Sequence, residues 1–203
     1  MVEELINNSS FKFVNIPISV SNHHLHLTQE AVELLFGRDY KLRKRKDLSQ
    51  PGQYACEETV DVVTPKGKMS CRIVGPCRDK IQVELSKTDS VILGIDPPVR
   101  LSGNLKGSAP IKLTGPKGEL NLEEGVIISA RHIHLSDEEG NKFKLKHGDL
   151  VNLAVKSNRG YHVLGNLICR VGRDHKLDVH IDTDEANAIG INNGDIGYIF
   201  YKN

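Results

Sequence analysis

Tryptophan is absent from this 203-residue chain, and Phe and Tyr supply five residues each, so a platform for stacking nucleic-acid bases is excluded. Neither charge dominates: 27 Lys and Arg stand against 26 Asp and Glu, for a formal net charge of +1. A nucleic-acid partner would call for a basic excess. No apolar run reaches the length of a membrane span. The first ten residues, Met1 to Ser10, also lack the basic and apolar blocks of a secretory signal, so the expectation is a cytosolic protein with no membrane partner. The four cysteines (Cys56, Cys71, Cys77, Cys169) are too sparse for a disulfide framework, and Cys71 and Cys77 have the wrong spacing for a metal or redox pair. They read as reduced structural thiols.

Histidine is what stands out, because five of the nine fall into a repeat. Residues 18–28 read Ile-Ser-Val-Ser-Asn-His-His-Leu-His-Leu-Thr, and residues 126–136 read Val-Ile-Ile-Ser-Ala-Arg-His-Ile-His-Leu-Ser. At an offset of 108, His24 falls on His132 and His26 on His134. Further along, residues 84–95 match residues 180–191 at an offset of 96, which sets Glu84 on His180, Asp89 on Glu185 and Gly94 on Gly190. Cys71-Arg72 and Cys169-Arg170 give a further match at an offset of 98. Similarities in one order along the chain indicate duplication. The fall in offset places about a dozen extra residues in the first copy, after His26. There Gln29–Leu48 is helix-prone and ends in the basic run Lys41 to Lys46.

Short alternating runs dominate the rest, punctuated by turn dipeptides such as Pro51-Gly52, Gly115-Pro116 and Asn193-Gly194. The strand candidates are Ile16–Val20, Glu58–Val63, Met69–Val74, Ile81–Leu85, Val99–Leu101, Ile111–Leu113, Val126–Ala130, Leu150–Val155, Tyr161–Val171, Leu177–Ile181 and Gly197–Tyr201. Helices are expected at Thr28–Phe36, Thr88–Leu93 and Asp184–Ile189, with a capped turn at Ser136–Glu139. The fold class is therefore mainly β: two related barrel-like halves with short capping helices. Residues 1–15 form an N-terminal extension, 16–110 the first half and 111–203 the second, strand exchange between the halves being allowed.

Side chains two apart on a strand share a face, so each His-x-His presents two imidazoles about 7 Å apart at Cα, from which both can reach one ion. The repeat proposes the third ligands. His24, His26 and Glu84 form one set, and His132, His134 and His180 the other. Such sets suit Zn²⁺ and leave a position open, with Co²⁺, Mn²⁺ or Ni²⁺ also compatible by ligand type. His147, His162 and His175 lie in polar or turn contexts and read as surface residues. The turn Gly75-Pro-Cys-Arg78 offers a guanidinium fork for an anion six residues before Glu84.

The motifs Val20-Ser-Asn-His-His-Leu-His-Leu, Ser49-Gln-Pro-Gly-Gln-Tyr-Ala55, Val74-Gly-Pro-Cys-Arg78, Gln82-Val-Glu84, Ser102-Gly, Ala130-Arg-His-Ile-His-Leu135 and His180-Ile-Asp-Thr-Asp-Glu-Ala-Asn187 together resemble the PduL-type phosphotransacylases, or phosphate propanoyltransferases. The resemblance runs from about Ile16 to Tyr198, with one departure at His23, where the family usually carries Arg. It implies a pair of β-barrels and a dinuclear metal site, usually zinc. The ligands fall on His24, His26 and Glu84 for one ion and on His132, His134 and His180 for the other, with a phosphate-contacting Arg at Arg78. It also implies reversible transfer of an acetyl or propanoyl group between coenzyme A and inorganic phosphate, giving acyl phosphate plus CoA. The competing expectations are a metallohydrolase of a thioester or phosphoester, and a duplicated binding module with structural histidines. Some family members act inside bacterial microcompartments behind an amphipathic N-terminal helix. Here Val2, Leu5 and Ile6 offer one apolar turn that Asn7-Asn-Ser-Ser10 interrupts, so the expectation is a free cytosolic enzyme or one without a dedicated encapsulation segment, with a homodimer, a place within a microcompartment and contacts to its shell or cargo allowed.

Overall fold

The computed structural model describes residues 11–202, so the reading of Val2 to Ser10 falls outside the described residues. Among the described residues, fourteen strands and four helices follow in order: β1 (Phe11–Ser21), β2 (His24–His26), α1 (Gln29–Phe36), β3 (Lys44–Asp47), β4 (Tyr54–Thr64), β5 (Gly67–Gly75), β6 (Gln82–Leu85), α2 (Lys87–Leu93), β7 (Val99–Arg100), β8 (Ala109–Thr114), β9 (Glu119–Ser129), β10 (His132–Leu135), α3 (Asp137–Phe143), β11 (Leu150–Ser157), β12 (Gly160–Val171), β13 (Asp178–Asp182), α4 (Thr183–Ile189) and β14 (Ile196–Lys202). The protein is mainly β, in two closed six-strand rings.

One ring is β1-β13-β10-β12-β11-β14, closed by β14 against β1. Among the described residues its compact unit comprises 11–21, 49–51 and 130–202. Inward alternation fills it: Ile16 and Ile18 from β1, Val151, Leu153 and Val155 from β11, and Ile133, Leu167, Cys169 and Val179 meet in one core. The other ring is β4-β5-β2-β6-β9-β8, closed by β8 against β4, with β3 and β7 added at its borders. Its unit comprises residues 22–48 and 52–129, and its core gathers Leu25, Cys56, Val60, Val62, Ile73, Val83 and Leu113.

The rings repeat one wiring. Each His-x-His strand runs parallel to one neighbour (β2 to β5, β10 to β12) and antiparallel to another (β2 to β6, β10 to β13). The sixth strand of each ring is the one that leads into the other copy's His-x-His strand. β1 precedes β2 yet pairs with β13 and β14, whereas β9 precedes β10 yet pairs with β6 and β8.

Register corrects one sequence match. Leu25 lies opposite Ile73 on β5, and Ile133 lies opposite Cys169 on β12, so Cys169 corresponds to Ile73 and the Cys-Arg match at an offset of 98 is two residues out of step. A slip of two keeps the same face inward, which is why the pattern survived it.

The segment after β2 also differs from its helix-prone reading. α1 stops at Phe36 because Gly37 adopts φ 112°, and the basic run is extended, with Lys44–Asp47 pairing onto β4. Glu58 holds that path: its buried carboxylate accepts from Tyr40 Oη at 2.9 Å, from Arg43 Nε at 2.9 Å and from the Arg43 backbone N–H. In the second copy, the expected turn at Ser136 is a seven-residue helix opened by a capping box with Glu139. Among the described residues no helix is long and apolar enough to cross a membrane.

Candidate metal centres

Strand pairing brings each predicted triad together. His24 lies directly opposite Glu84 across the β2–β6 ladder, and His132 lies opposite His180 across β10–β13, while His26 and His134 share their partners' faces two residues on. In both triads the potential ligand atoms lie within 4.8 Å of one another.

In the first triad, backbone carbonyls choose the imidazole tautomers. His24 Nδ1 donates to Asn22 O at 2.8 Å, and His26 Nδ1 donates to Val74 O at 3.0 Å. Both lone pairs are therefore on Nε2, turned toward Glu84 Oε1 at 3.7 and 3.8 Å. Tetrahedral zinc with bonds of 2.0–2.1 Å sets its ligand atoms roughly 3.4 Å apart, so this spacing fits a shared ion. Burial above all, with His24 and Arg78 adding positive potential, pushes His26 down to about 3. It stays neutral, as a ligand must be.

The second triad is all imidazole. His132 Nδ1 donates to Ala130 O at 2.8 Å, which leaves its Nε2 lone pair 3.1 Å from His134 Nε2. His134 is buried, and its Nδ1 has no hydrogen-bond partner. Desolvation, then His180 and His132, hold it far below the ordinary histidine range. Two ring nitrogens facing each other across 3.1 Å, with His180 completing the set, suit a cation placed between them. His180 differs: its Nε2 lies 3.0 Å from Asp178 Oδ2.

Arg78 sits in the turn after β5, its N–H bonded to Leu27 O at 2.8 Å and its Nη1 3.4 Å from Ser102 Oγ. That same Ser102 hydroxyl accepts from Gln82 Nε2, which also bonds Glu84, so the guanidinium stands close to the first triad. In the second copy, the N–H that reaches the equivalent carbonyl, Leu135 O, belongs to Gly172 at 3.0 Å. His175, read from the sequence as a surface residue, is half-buried there, its ring centred 4.4 Å from that of His134. A polar sequence context gave no warning of that edge-to-face contact.

Sequence reasoning also passed over the residues behind the ligands. Gln82 Nε2 donates to Glu84 Oε1 at 2.5 Å and to Ser102 Oγ at 2.7 Å. Asp178 accepts from Ser19 Oγ at 2.7 Å, and Ser49 Oγ lies 3.2 Å from Ser19 Oγ. Gln50 latches that segment through Lys176, donating to its carbonyl at 2.9 Å and accepting from its N–H at 3.1 Å. The residue before each His-x-His meets the helix carboxylate of its own copy: His23 Nδ1 lies 3.4 Å from Asp89 Oδ1, and Arg131 Nε lies 2.6 Å from Glu185 Oε1. The repeat held these pairs at matched offsets; only the ladder shows that they touch.

All four cysteines are free thiols. Burial pushes Cys71 and Cys169 up to about 12 and Cys56 to about 11, so none of these three supplies a thiolate near neutral pH.

The sequence profile of the family described as phosphate propanoyltransferase matches residues 17–192. A protein named phosphate propanoyltransferase from Thermotoga maritima is 46% identical over 185 residues, covering 91% of this chain and 88% of its own length. One so named from Salmonella typhimurium is 46% identical over 179 residues, covering 88% and 85%. Another from Lachnoclostridium phytofermentans is 48% identical over 183 residues, covering 89% and 85%.

Proposed function

The chain belongs to the phosphate propanoyltransferase family, and from that premise we propose that it transfers a short acyl group reversibly between coenzyme A and inorganic phosphate. The observation that carries the reading is the first triad. Two imidazole lone pairs and a carboxylate converge on one point with a guanidinium beside them, so a Lewis-acid position and an anion position are neighbours. The catalytic assignment is Arg78, with metal held by His24, His26 and Glu84 and by His132, His134 and His180, one divalent ion to each triad, zinc by ligand type.

A bound divalent ion would supply positive charge for an oxyanion and for a departing thiolate. The chain's own contribution is binding and orientation. Arg78 takes two phosphate oxygens in its fork, and Ser102, within 3.4 Å of its Nη1, steadies the fork. Phosphate dianion is already a nucleophile at neutral pH, so no protein base is needed. One of its oxygens attacks the thioester carbonyl carbon, the C–S bond breaks with its electron pair leaving on sulfur, and acyl phosphate and CoA thiolate result. Holding two polyanions in line beside cationic groups supplies much of the rate. The buried thiols agree with a direct displacement that needs no acyl-enzyme.

The test is CoA release from acetyl-CoA and propanoyl-CoA, with and without phosphate and chelator. Release that requires phosphate and is abolished by chelator is expected. Phosphate-independent thiol release would assign a hydrolase instead, and chelator-insensitive transfer would remove the metal from the reading.

A further inference from the structure

We propose that Gln82 and Asp178 are positioning residues that match each triad to its third ligand, an amide donor standing behind the carboxylate of Glu84 and a carboxylate acceptor behind the imidazole of His180. The proposal rests on the metal reading above and deepens it. It explains how one duplicated strand carries a carboxylate ligand in one copy and an imidazole in the other.

The ladder makes the two residues equivalents. Gln82 lies opposite His26 and Asp178 opposite His134, and each is 2% exposed. Two residues on along the same strand face stand Glu84 and His180. Gln82 is held one way round. Its Oε1 accepts the Gly103 backbone N–H at 2.7 Å, so Nε2 is the atom left to face Glu84 Oε1 at 2.5 Å and Ser102 Oγ at 2.7 Å. Turning the amide over would set oxygen against carboxylate oxygen and N–H against N–H.

Asp178 offers only acceptors. Its Oδ2 receives the Ser19 hydroxyl at 2.7 Å and His180 Nε2–H at 3.0 Å. His180 is thereby fixed with its proton on Nε2 and its lone pair on Nδ1. That is the reverse of His24, His26 and His132, whose Nδ1 protons are bound by Asn22 O, Val74 O and Ala130 O. The two copies thus reach one electrostatic solution with opposite residues.

Mismatch is costly in both directions. A glutamate at position 180 would press a second carboxylate against buried Asp178, and the like charges would repel where water is scarce. A histidine at position 84 would spend its one lone pair accepting from Gln82 Nε2, leaving none for an ion. Polarity at the outer position therefore decides which ligand type the inner position accepts.

The experiment exchanges the pairs in the full-length, untagged protein. His180→Glu, and His180→Glu with Asp178→Gln, are loaded with zinc alone, desalted, and compared for bound zinc, zinc affinity and thermal melting. The single variant should lose on the order of 10–100-fold in affinity at that site, the range found for disturbed outer-shell contacts, and the double variant should recover most of it. Nitrogen-15 spectra of the metal-free wild type should show His180 protonated on Nε2 and His24, His26 and His132 on Nδ1. The inference is overturned by a double variant that melts like wild type yet binds as weakly as the single, by a single variant with wild-type affinity, or by a His180 protonated on Nδ1. Failure of the metal reading looks different: wild type itself would bind no zinc, while the tautomers would still report the Asp178 contact.

Discussion

Traced outward from its His-x-His strand, each ring repeats the other down to single hydrogen bonds. The third-ligand strand leads into a helix opened by a capping box, Ser86 with Asp89 in one copy and Asp182 with Glu185 in the other, and closed by a left-handed glycine, Gly94 or Gly190, at φ 68°. The hairpin before it is tied to the last turn of that helix in the same way. Thr64 Oγ1 donates to Leu93 O and Ser157 Oγ to Ile189 O, both at 2.6 Å. Against that constancy three positions change polarity: Arg78 against Gly172, Gln82 against Asp178, and Glu84 against His180. One copy combines an inward carboxylate with a guanidinium; the other is all imidazole within, with its carboxylate behind. A ladder that places alternate residues on one face lets a few substitutions rewrite a site while the ring stays intact.

The largest effect should come from breaking each triad in turn. His26→Ala and His134→Ala each remove a buried ligand, and each should empty its own triad of metal. Phosphate-dependent CoA release should fall by more than the roughly 100-fold that a lost outer-shell partner can cost. Should either variant turn over like wild type, that copy is structural and the functional symmetry fails. Arg78→Ala comes next. Losing a charge-assisted fork should lower kcat/KM for phosphate by about 10–100-fold, or about 1.4–2.7 kcal/mol, with acyl-CoA saturation little changed. Unchanged phosphate kinetics would leave the first copy with no more anion affinity than the second.

A smaller effect concerns the pairs before the His-x-His strands. Arg131–Glu185 at 2.6 Å is a close ion pair, whereas His23–Asp89 at 3.4 Å is a longer contact from a residue that need not be charged. Arg131→His should cost about 1 kcal/mol in urea unfolding, and His23→Arg should gain up to about 1 kcal/mol, both pairs being only partly withdrawn from solvent. A neutral Arg131→His would mean that the matched positions do different work.

How much of this could be read from the chain alone follows from what periodicity carries. Alternation at Leu150–Val155 and Tyr161–Val171 announced β11 and β12, and Thr28 announced its helix, because these signals are local, whereas Ser136 announced only a capped turn where a seven-residue helix forms. The triads were legible because a duplication lines up Glu84 with His180 without any need for contacts. Pairing partners were not legible: nothing in Phe11–Ser21 says that this strand joins β13 and β14, since ladder choice depends on distant residues. Edge strand β3 was hidden for a related reason. Lys44–Asp47 is wholly exposed and charged, and it is extended because it pairs with β4 while Glu58 grips nearby Arg43. Gln82 and Asp178 went unnoticed as orienters because a polar residue on a strand shows its purpose only when its acceptors and donors are in place.

The smallest prediction tests the copies at the C-terminal ends of the helices that follow their His-x-His strands. The helix after β2 ends at Gly37, and the helix after β10 ends at Lys144, which adopts φ 60° and ψ 36°. A residue with a Cβ in that left-handed region costs roughly 1 kcal/mol, because its Cβ crowds the following carbonyl oxygen. Lys144 is exposed, and its backbone N–H still bonds to Asn141 O and Gly140 O, so exchanging the side chain removes no core packing. Lys144→Gly should therefore relieve the strain. Part of the gain is returned through the greater freedom of glycine in the unfolded chain, leaving about 0.5 kcal/mol. In a chain of this length that raises Tm by about 1–2 °C, with kcat and KM unchanged because the site is untouched. A fall in Tm would show that the lysine side chain stabilises this helix end through contacts that outweigh its backbone strain, and that the two copies stop their helices by different physics.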